Sequence, residues 1–464
     1  MKTSEAQAIH PAGKLLFLGI AAGLGLIYAS LIPLQYEPLG WEETIDRFRG
    51  IRWLNLNVYR RADWVANGLA VLPFGFLLSG AADRDHKLSV RYMIQILGIM
   101  FSGILLVVGI EFVQLWFPPR TVSGNDIAAG CVGSLIGPLL WPVIGRACLA
   151  QWTRLKHLPK AELLSPKTSR VLLVLYSGLL ITYSIMPLDL MFSMDEWQIK
   201  SQQGRFAWLT GIGINASNNF AGLLELTATL ALSSLRMIPF GVLVYRSKLT
   251  KLAPIFVIGF PILLEVLQAP IFTRYTTFID VLCGWTGGLL GLLLTANWFR
   301  VIRLNQSKSF RVMLVMACVL LIELAFLGRY ERACTTEEIT SNWKFFWAPP
   351  FSKYYYTTEF LAASNFAGKA LAFAVLGFLV GNLRHHQPLS AKNGKQMQTI
   401  ICAGVIVIVA LCVELPQIYL QAFIADASDI LIYLAGATIG WMSHDFLINR
   451  KTSNTQILPK QLSA

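Results

Sequence analysis

Long uninterrupted apolar runs alternate along the chain with short polar connections. About twelve such runs, centred near residues 24, 73, 104, 135, 180, 232, 262, 289, 320, 371, 409 and 437, reach the roughly 20 apolar helical residues needed to cross a hydrocarbon slab. They continue through glycine and proline, which bilayer helices tolerate because neighbouring groups re-satisfy the freed backbone. The pattern predicts an all-α polytopic membrane protein of about twelve spans. Grouped in fours, the runs give three blocks, at residues 1–160, 161–308 and 309–464. Four crossings return the chain to the side it started from, so the blocks are expected to be parallel repeats.

Polar residues recur at one place in each block, the junction between its third and fourth runs. The pattern ExxQx5Rx5Dx6Gx3G reads Glu111, Gln114, Arg120, Asp126, Gly133, Gly137 in the first block and Glu265, Gln268, Arg274, Asp280, Gly287, Gly291 in the second. In the third it reads Glu414, Gln417, Phe423, Asp429, Gly436, Gly440, losing only the arginine. Each fixed position matches by chance roughly one time in twenty, so the joint recurrence points to tandem triplication. Glutamate and glutamine three apart share a helix face and are expected to converge on one target. The arginine lies in the connection, placed to pair with a carboxylate or a phosphate. The aspartate opens the next helix, where it is expected to cap backbone N–H groups. The glycine pair is a small-xxx-small spacing that lets spans approach closely.

The second run of the first block adds Asp63 and Asn67 ahead of Pro73-Phe74-Gly75. Thr229 and Ser233 precede Pro239-Phe240-Gly241 in the second block, and Asn365 and Lys369 precede Gly377 in the third. An unpartnered lysine inside a span costs a few kcal/mol, so Lys369 is expected to pair with Glu414 or Asp429, standing in for the missing arginine. Arg236 is expected to pair with Glu225 or Glu265. The loops between first and second runs are longer, about 25 to 30 residues. In the first of them Trp41, Ile45 and Phe48 face one way and Glu42, Glu43, Asp46 and Arg47 the other, as in a helix lying along an interface. Such loops are placed to roof a site.

Composition agrees with the pattern: 55% hydrophobic residues, 14% charged and a mean hydropathy of +0.55 exclude a soluble core. The net charge of +13 acquires meaning from its location. The two tails and the connections between blocks and between second and third runs carry 24 of the 39 lysines and arginines against five acids. By the positive-inside rule both termini are cytoplasmic, in a plasma membrane, and the repeated polar junctions face outward. The charge therefore reflects orientation, and nucleic acid is not an expected partner. The run from Leu15 to Leu34 is too long for a secretory signal, and its Tyr28…Pro33-Leu34 is echoed by Tyr183…Pro187-Leu188. Seven scattered cysteines offer no disulfide framework or CxxC metal site.

An Asp-x3-Asn ahead of Pro-Phe-Gly, followed by ExxQ, a loop arginine and an aspartate opening a glycine-containing helix, resembles the VanZ-like family of membrane proteins. The resemblance is fullest in the first block, fair in the second and degenerate in the third, where Phe423 and Tyr433 replace polar or small residues. It implies membership of a bacterial envelope family named for a component associated with teicoplanin-type glycopeptide resistance.

All six histidines (His10, His86, His157, His385, His386, His444) fall on the side predicted to be cytoplasmic, which disfavours a Ser-His-Asp triad or histidine-ligated zinc at the outer face. No phosphate-binding GxxxxGK[ST] loop is present and no cofactor is implied. Candidate site residues are Asp63, Asn67, Glu111, Gln114, Arg120 and Asp126, with Glu265, Gln268, Arg274 and Asp280, and behind them Lys369, Glu414, Gln417 and Asp429. General acid–base work would fall to Glu111 with Asp126 or Asp63. Two readings stand. One is an envelope enzyme or binding factor for a lipid-linked, cell-wall or polysaccharide-related substrate, with membrane lipids as partners. The other is a non-catalytic transporter or assembly partner whose polar set locks helices together.

Overall fold

The computed structural model describes residues 11–83, 89–157, 162, 165–207, 227, 230–327, 333–385, 392–421 and 424–452. Eleven helices among them are long and apolar enough to cross a membrane. Of the run expected near 232, part lies outside the described residues and the described part includes the short helix Ile238–Arg246. The strands among the described residues are a two-residue parallel pair, Phe206–Ala207 on Thr276–Thr277. The chain divides into two compact units, residues 1–157 with two three-residue segments (187–189 and 358–360), and the remainder.

The first unit contains α1 (Ala12–Leu31), α2 (Trp41–Arg49), α3 (Val58–Ala82), α4 (Val90–Gln114), α5 (Gly124–Leu140) and α6 (Arg146–His157). α3 packs on both α5 and α1, while α4 closes the bundle against α5. The glycine spacing explains the tightest seam. A Cβ on Gly133 would lie 2.2 Å from the Gly68 carbonyl oxygen, and one on Gly137 2.7 Å from that of Leu72. Two glycines one turn apart thus bring α5 onto the α3 backbone, the close approach that small residues allow in lipid. Towards the far end of α3, Asp83 is buried and takes a bidentate Arg146 (Nε 2.7 Å, Nη2 3.0 Å) and the Trp141 indole N–H.

In the second unit, α7 (Pro166–Ile185), α8 (Met194–Gln202), α9 (Ile238–Arg246), α10 (Ala253–Gln268) and α11 (Phe278–Ala296) precede α12 (Trp298–Gln306). There follow α13 (Lys308–Leu327), α14 (Thr336–Phe346), α15 (Glu359–His385), α16 (Lys392–Glu414) and α17 (Ala427–Thr452). The same seam appears twice more. Gly287 and Gly291 sit on the Ser234 and Ile238 carbonyls, and Gly436 and Gly440 on those of Ala370 and Ala374. Phe373, Leu376, Val413, Tyr433 and Ala437 form the buried core of α15, α16 and α17. Leu34 and Leu188, the echoed residues after the first helix of two blocks, both take left-handed backbone conformations.

The amphipathic helix α2 lays its apolar face on the last turn of α4. Trp41 and Phe48 meet Phe112 edge-on at 5.7 and 5.2 Å, and Trp41 stacks on Trp116. The rest of this loop docks on the start of α5, where the Asn125 amide donates to the Leu54 carbonyl at 2.7 Å and accepts from its N–H at 3.3 Å. Counterparts are the strand pair of residues 206–207 with 276–277 and the bond from the Phe351 N–H to Ser428 Oγ. Each loop thus covers the start of the fourth helix.

Candidate functional site

The junction between third and fourth helices is built alike in the three blocks. Twelve residues after each glutamate comes the N-cap of the next helix, Ser123, Thr277 or Asp426, and the glutamate accepts its backbone N–H. Thr277 donates to Glu265 at 3.0 Å and Asp426 to Glu414 at 2.9 Å, and Ser123 makes the same bond to Glu111. One carboxylate oxygen of each glutamate therefore closes the turn. All three glutamates are buried.

The aspartate is not the cap that its position suggested. Ser123 Oγ and Thr277 Oγ1 cap the helices, accepting from the N–H of Asp126 and Asp280 at 3.2 and 3.1 Å and donating to their carboxylates at 2.6 and 2.8 Å. The aspartate occupies the third helical position, and its other oxygen turns to the second helix. Asn67 donates to Asp126 at 2.7 Å, Ser233 to Asp280 at 3.2 Å, and Lys369 forms an ion pair with Asp429. The Lys369–Asp429 pair is as expected. The lysine, however, fills the place of Asn67 and Ser233 rather than that of the arginine. A serine or threonine three residues before each aspartate of the first two blocks was the available signal for the cap.

The loop arginine reaches back to the first helix. Arg120 donates to the Ala29 carbonyl, and Arg274 to those of Tyr183 and Met186 (Nε 2.7 Å) while lying over the Tyr183 ring at 4.8 Å. Both guanidinium groups clamp the carbonyl-rich end of the first helix, where orphan acceptors and the helix dipole favour a cation. Phe423 lies outside the described residues. In the first and third blocks the glutamine turns away from the glutamate, Gln114 donating to the Ser30 carbonyl at 2.8 Å and Gln417 to its own helix at Val413, whereas Glu265 and Gln268 face one space in the second. Asp63 is half-buried one turn before Asn67. Arg236 meets Asp280 at 3.7 Å and Ser233 Oγ at 3.0 Å rather than Glu265, because Glu265 turns to the Thr277 amide. Glu225 and Thr229 lie outside the described residues.

Sequence reasoning missed the groups that complete the third cluster. Lys353 Nζ reaches Asp429 at 3.0 Å, the Tyr354 hydroxyl donates to Asp429 at 2.8 Å, and the Tyr433 hydroxyl donates to Glu414 at 2.9 Å. Burial alone would lower the Lys353 pKa, but the Asp429 and Glu414 carboxylates outweigh it and hold the ammonium above its ordinary value. Burial and then Asp429 push the Tyr354 phenol up, so it stays protonated as a donor. The block that looked degenerate has the most fully answered polar cluster. A second omission is Lys200, fully buried, which caps the end of α10 through the carbonyls of Gln268, Ala269 and Ile271 at 2.6–3.2 Å.

The first cluster retains unanswered polarity, and the second borders open space. Glu111 Oε2 and Gln114 Oε1 are buried without a hydrogen-bond partner. In the second block a cavity of about 40 Å³ opens among Tyr183, Ser233, Arg236, Glu265, Gln268 and Asp280, with Gly284 in its wall. That volume holds a few waters or one small polar group, since a single water needs about 10–15 Å³ on this measure. Two carboxylates, an amide and a guanidinium therefore converge on a small space at a helix-bundle end.

The protein-family model described as VanZ/LLP1 matches residues 19–145 and 305–448, together more than half of the chain. The two stretches contain the first and third sets of repeated residues. No curated protein matches the chain, and no solved structure does.

Proposed function

The chain belongs to the VanZ/LLP1 family, and from that premise we propose that it is a multi-pass binding protein of the bacterial plasma membrane. Three parallel four-span repeats, bounded near residues 160 and 308, present their glutamate–aspartate ends to the extracytoplasmic leaflet. There they take the headgroup of a lipid-linked or cell-wall-related molecule. The skewed lysine and arginine distribution supports the orientation, with both termini cytoplasmic. The observation that carries the reading is the cavity of the second block, where Glu265, Gln268, Asp280 and Arg236 meet around open space. Polar groups at membrane depth are costly and mark binding sites by default. Binding is favoured over catalysis because one oxygen of each glutamate already closes a turn.

The test is replacement of Glu265 by glutamine and Arg236 by methionine, singly, with membrane level, envelope phenotype and co-purified lipid measured on each. Loss of a specific co-purified lipid at normal protein level supports the site. Normal lipid retention in both variants refutes it. A second reading, that the polar sets only lock helices, is favoured by the arginine clamps on first-helix carbonyls and by the self-satisfied third cluster. It predicts that both variants vanish from the membrane.

A further inference from the structure

The residue four positions after each aspartate distinguishes the three clusters. It is Gly130, Gly284 and Tyr433. The residue one turn before each glutamate, which faces that position, is Val107, Pro261 and Ala410. A Cβ on Gly130 would fall 2.6 Å from Val107 Cγ1, and one on Gly284 2.6 Å from Pro261 Cβ. In the third block the small Ala410 makes room instead, and both Ala410 and Tyr433 are fully buried. The phenol stacks on Phe373 at 4.3 Å and delivers its hydroxyl to the second oxygen of Glu414. In the first block the corresponding glutamate has an oxygen, Glu111 Oε2, that is buried and without a partner. In the second block the corresponding glutamate and glycine line the cavity.

We propose that Tyr433 is a built-in occupant of a hydroxyl-binding site, and that the first two blocks hold the same site open for the hydroxyl group of a polyol or sugar headgroup. The ligand donates its O–H to the glutamate oxygen that the turn amide does not use, as Tyr433 does in the third block. A buried acceptor left unanswered is costly, so Glu111 Oε2 favours any neutral donor of the right reach. The occupant is a hydroxyl rather than an ammonium because the cations of the third cluster, Lys353 and Lys369, go to the aspartate while the glutamate takes the phenol. The cavity size limits what enters to a hydroxymethyl-sized end, with the rest of the headgroup outside. This inference rests on the binding reading above and names the ligand class of that site.

The test uses the purified full chain and native mass spectrometry with three probes: phosphatidylglycerol, phosphatidylethanolamine and free glycerol. Retention of phosphatidylglycerol over phosphatidylethanolamine by the wild type, at least tenfold in affinity, is expected. Competition by glycerol at millimolar levels would identify a free polyol as an equally good source of the hydroxyl. Transplanting the third-block pair, as Val107→Ala with Gly130→Tyr and as Pro261→Ala with Gly284→Tyr, is expected to weaken retention at least tenfold at each site. Retention within twofold of wild type in both transplants overturns the proposal, and the Glu265→Gln variant then separates the causes. If that variant loses the lipid, the binding reading stands and only the tyrosine analogy falls; if it keeps the lipid, both fall. Should the transplants not fold, Tyr433→Gly gives the reciprocal measurement. It is expected to gain thermal stability from p-cresol, the missing side chain, while the wild type does not, and no gain overturns the proposal.

Discussion

Asp429 is fully buried and has two cations, Lys369 and Lys353, and one hydroxyl, Tyr354, around it. Each lysine is itself largely buried, with 7% and 17% of its side chain exposed. Replacing Lys369 by methionine leaves Asp429 with Lys353 and the phenol, so the loss is that of one charged hydrogen bond, about 1.5–3 kcal/mol. Lys353→Met alone is expected to cost the same or less, because that side chain keeps more contact with solvent. The double variant loses both charged hydrogen bonds and in addition leaves a buried carboxylate with no cation, a further penalty that neither single variant incurs. Coupling is therefore expected, with the double exceeding the sum of the singles by about 1 kcal/mol or more, within the range for residues that share a partner. Asp429→Asn in the double background should return most of the loss. The assay is equilibrium unfolding of the detergent-solubilised chain with each variant in a double-mutant cycle. Additivity within about 0.5 kcal/mol, the value for independent sites, would refute the shared-carboxylate account.

Gly287→Ala pushes a methyl group to 2.0 Å from the Ser234 carbonyl oxygen, a backbone atom that cannot rotate away, so a loss of about 1–3 kcal/mol is expected, read as a lower unfolding midpoint. Arg274→Met keeps a stem over Tyr183 but releases the carbonyls of Tyr183 and Met186; about 1.5–3 kcal/mol is expected, with hydrogen exchange rising at the end of α7. Alkaline pH should weaken the third cluster. The Lys353 and Tyr354 values are raised in the fold, so their contribution is complete below their unfolded values near pH 10 and is lost as pH rises through the folded ones. Unfolding between pH 9 and 12 should therefore show a steeper fall for the wild type than for Lys353→Met with Tyr354→Phe, and equal slopes would contradict it. Reporter fusions should place both termini in the cytoplasm, and periplasmic activity at either end would reverse the assignment of faces.

Much of this architecture was legible because lipid makes two demands that sequence records directly. Spans must be long and apolar, and close seams must be glycine; both patterns were read and both are observed. The polar junction was legible as a set but not in its bonds. The aspartate at the third helical position looked like a cap because sequence distance does not say which of Ser123 or Asp126 turns outward. The carbonyls that Arg120 and Arg274 clamp were not legible, because they lie 91 residues away in the chain. Lys353 and Tyr354 were invisible for the same reason, entering from a loop that carries no repeated motif. Conversely the Lys369–Asp429 pair was predictable, since a cation inside a span must find an anion nearby.

The exchanges in the third block are linked rather than independent losses of a motif. Glycine to tyrosine at position 433 needs the space that alanine supplies at 410, and the ring it introduces is flanked by Phe373 and, at 5.8 Å, by Lys369 Nζ. Lysine in the place of Asn67 or Ser233 in turn adds a buried cation beside Asp429. A neutral helix-two residue goes with a glycine and an unanswered glutamate oxygen in the first block, and with a glycine and a cavity in the second. A charged one goes with a tyrosine and a filled space in the third. The third arrangement satisfies the rule that buried polar groups must be paired, whereas the first leaves Glu111 Oε2 and Gln114 Oε1 without a partner. Reverting Tyr433 to glycine while keeping Lys369 should accordingly be worse tolerated than reverting both, with Lys369→Asn recovering membrane level in the Tyr433→Gly background; equal levels in the single and double variants would show the two positions to be uncoupled.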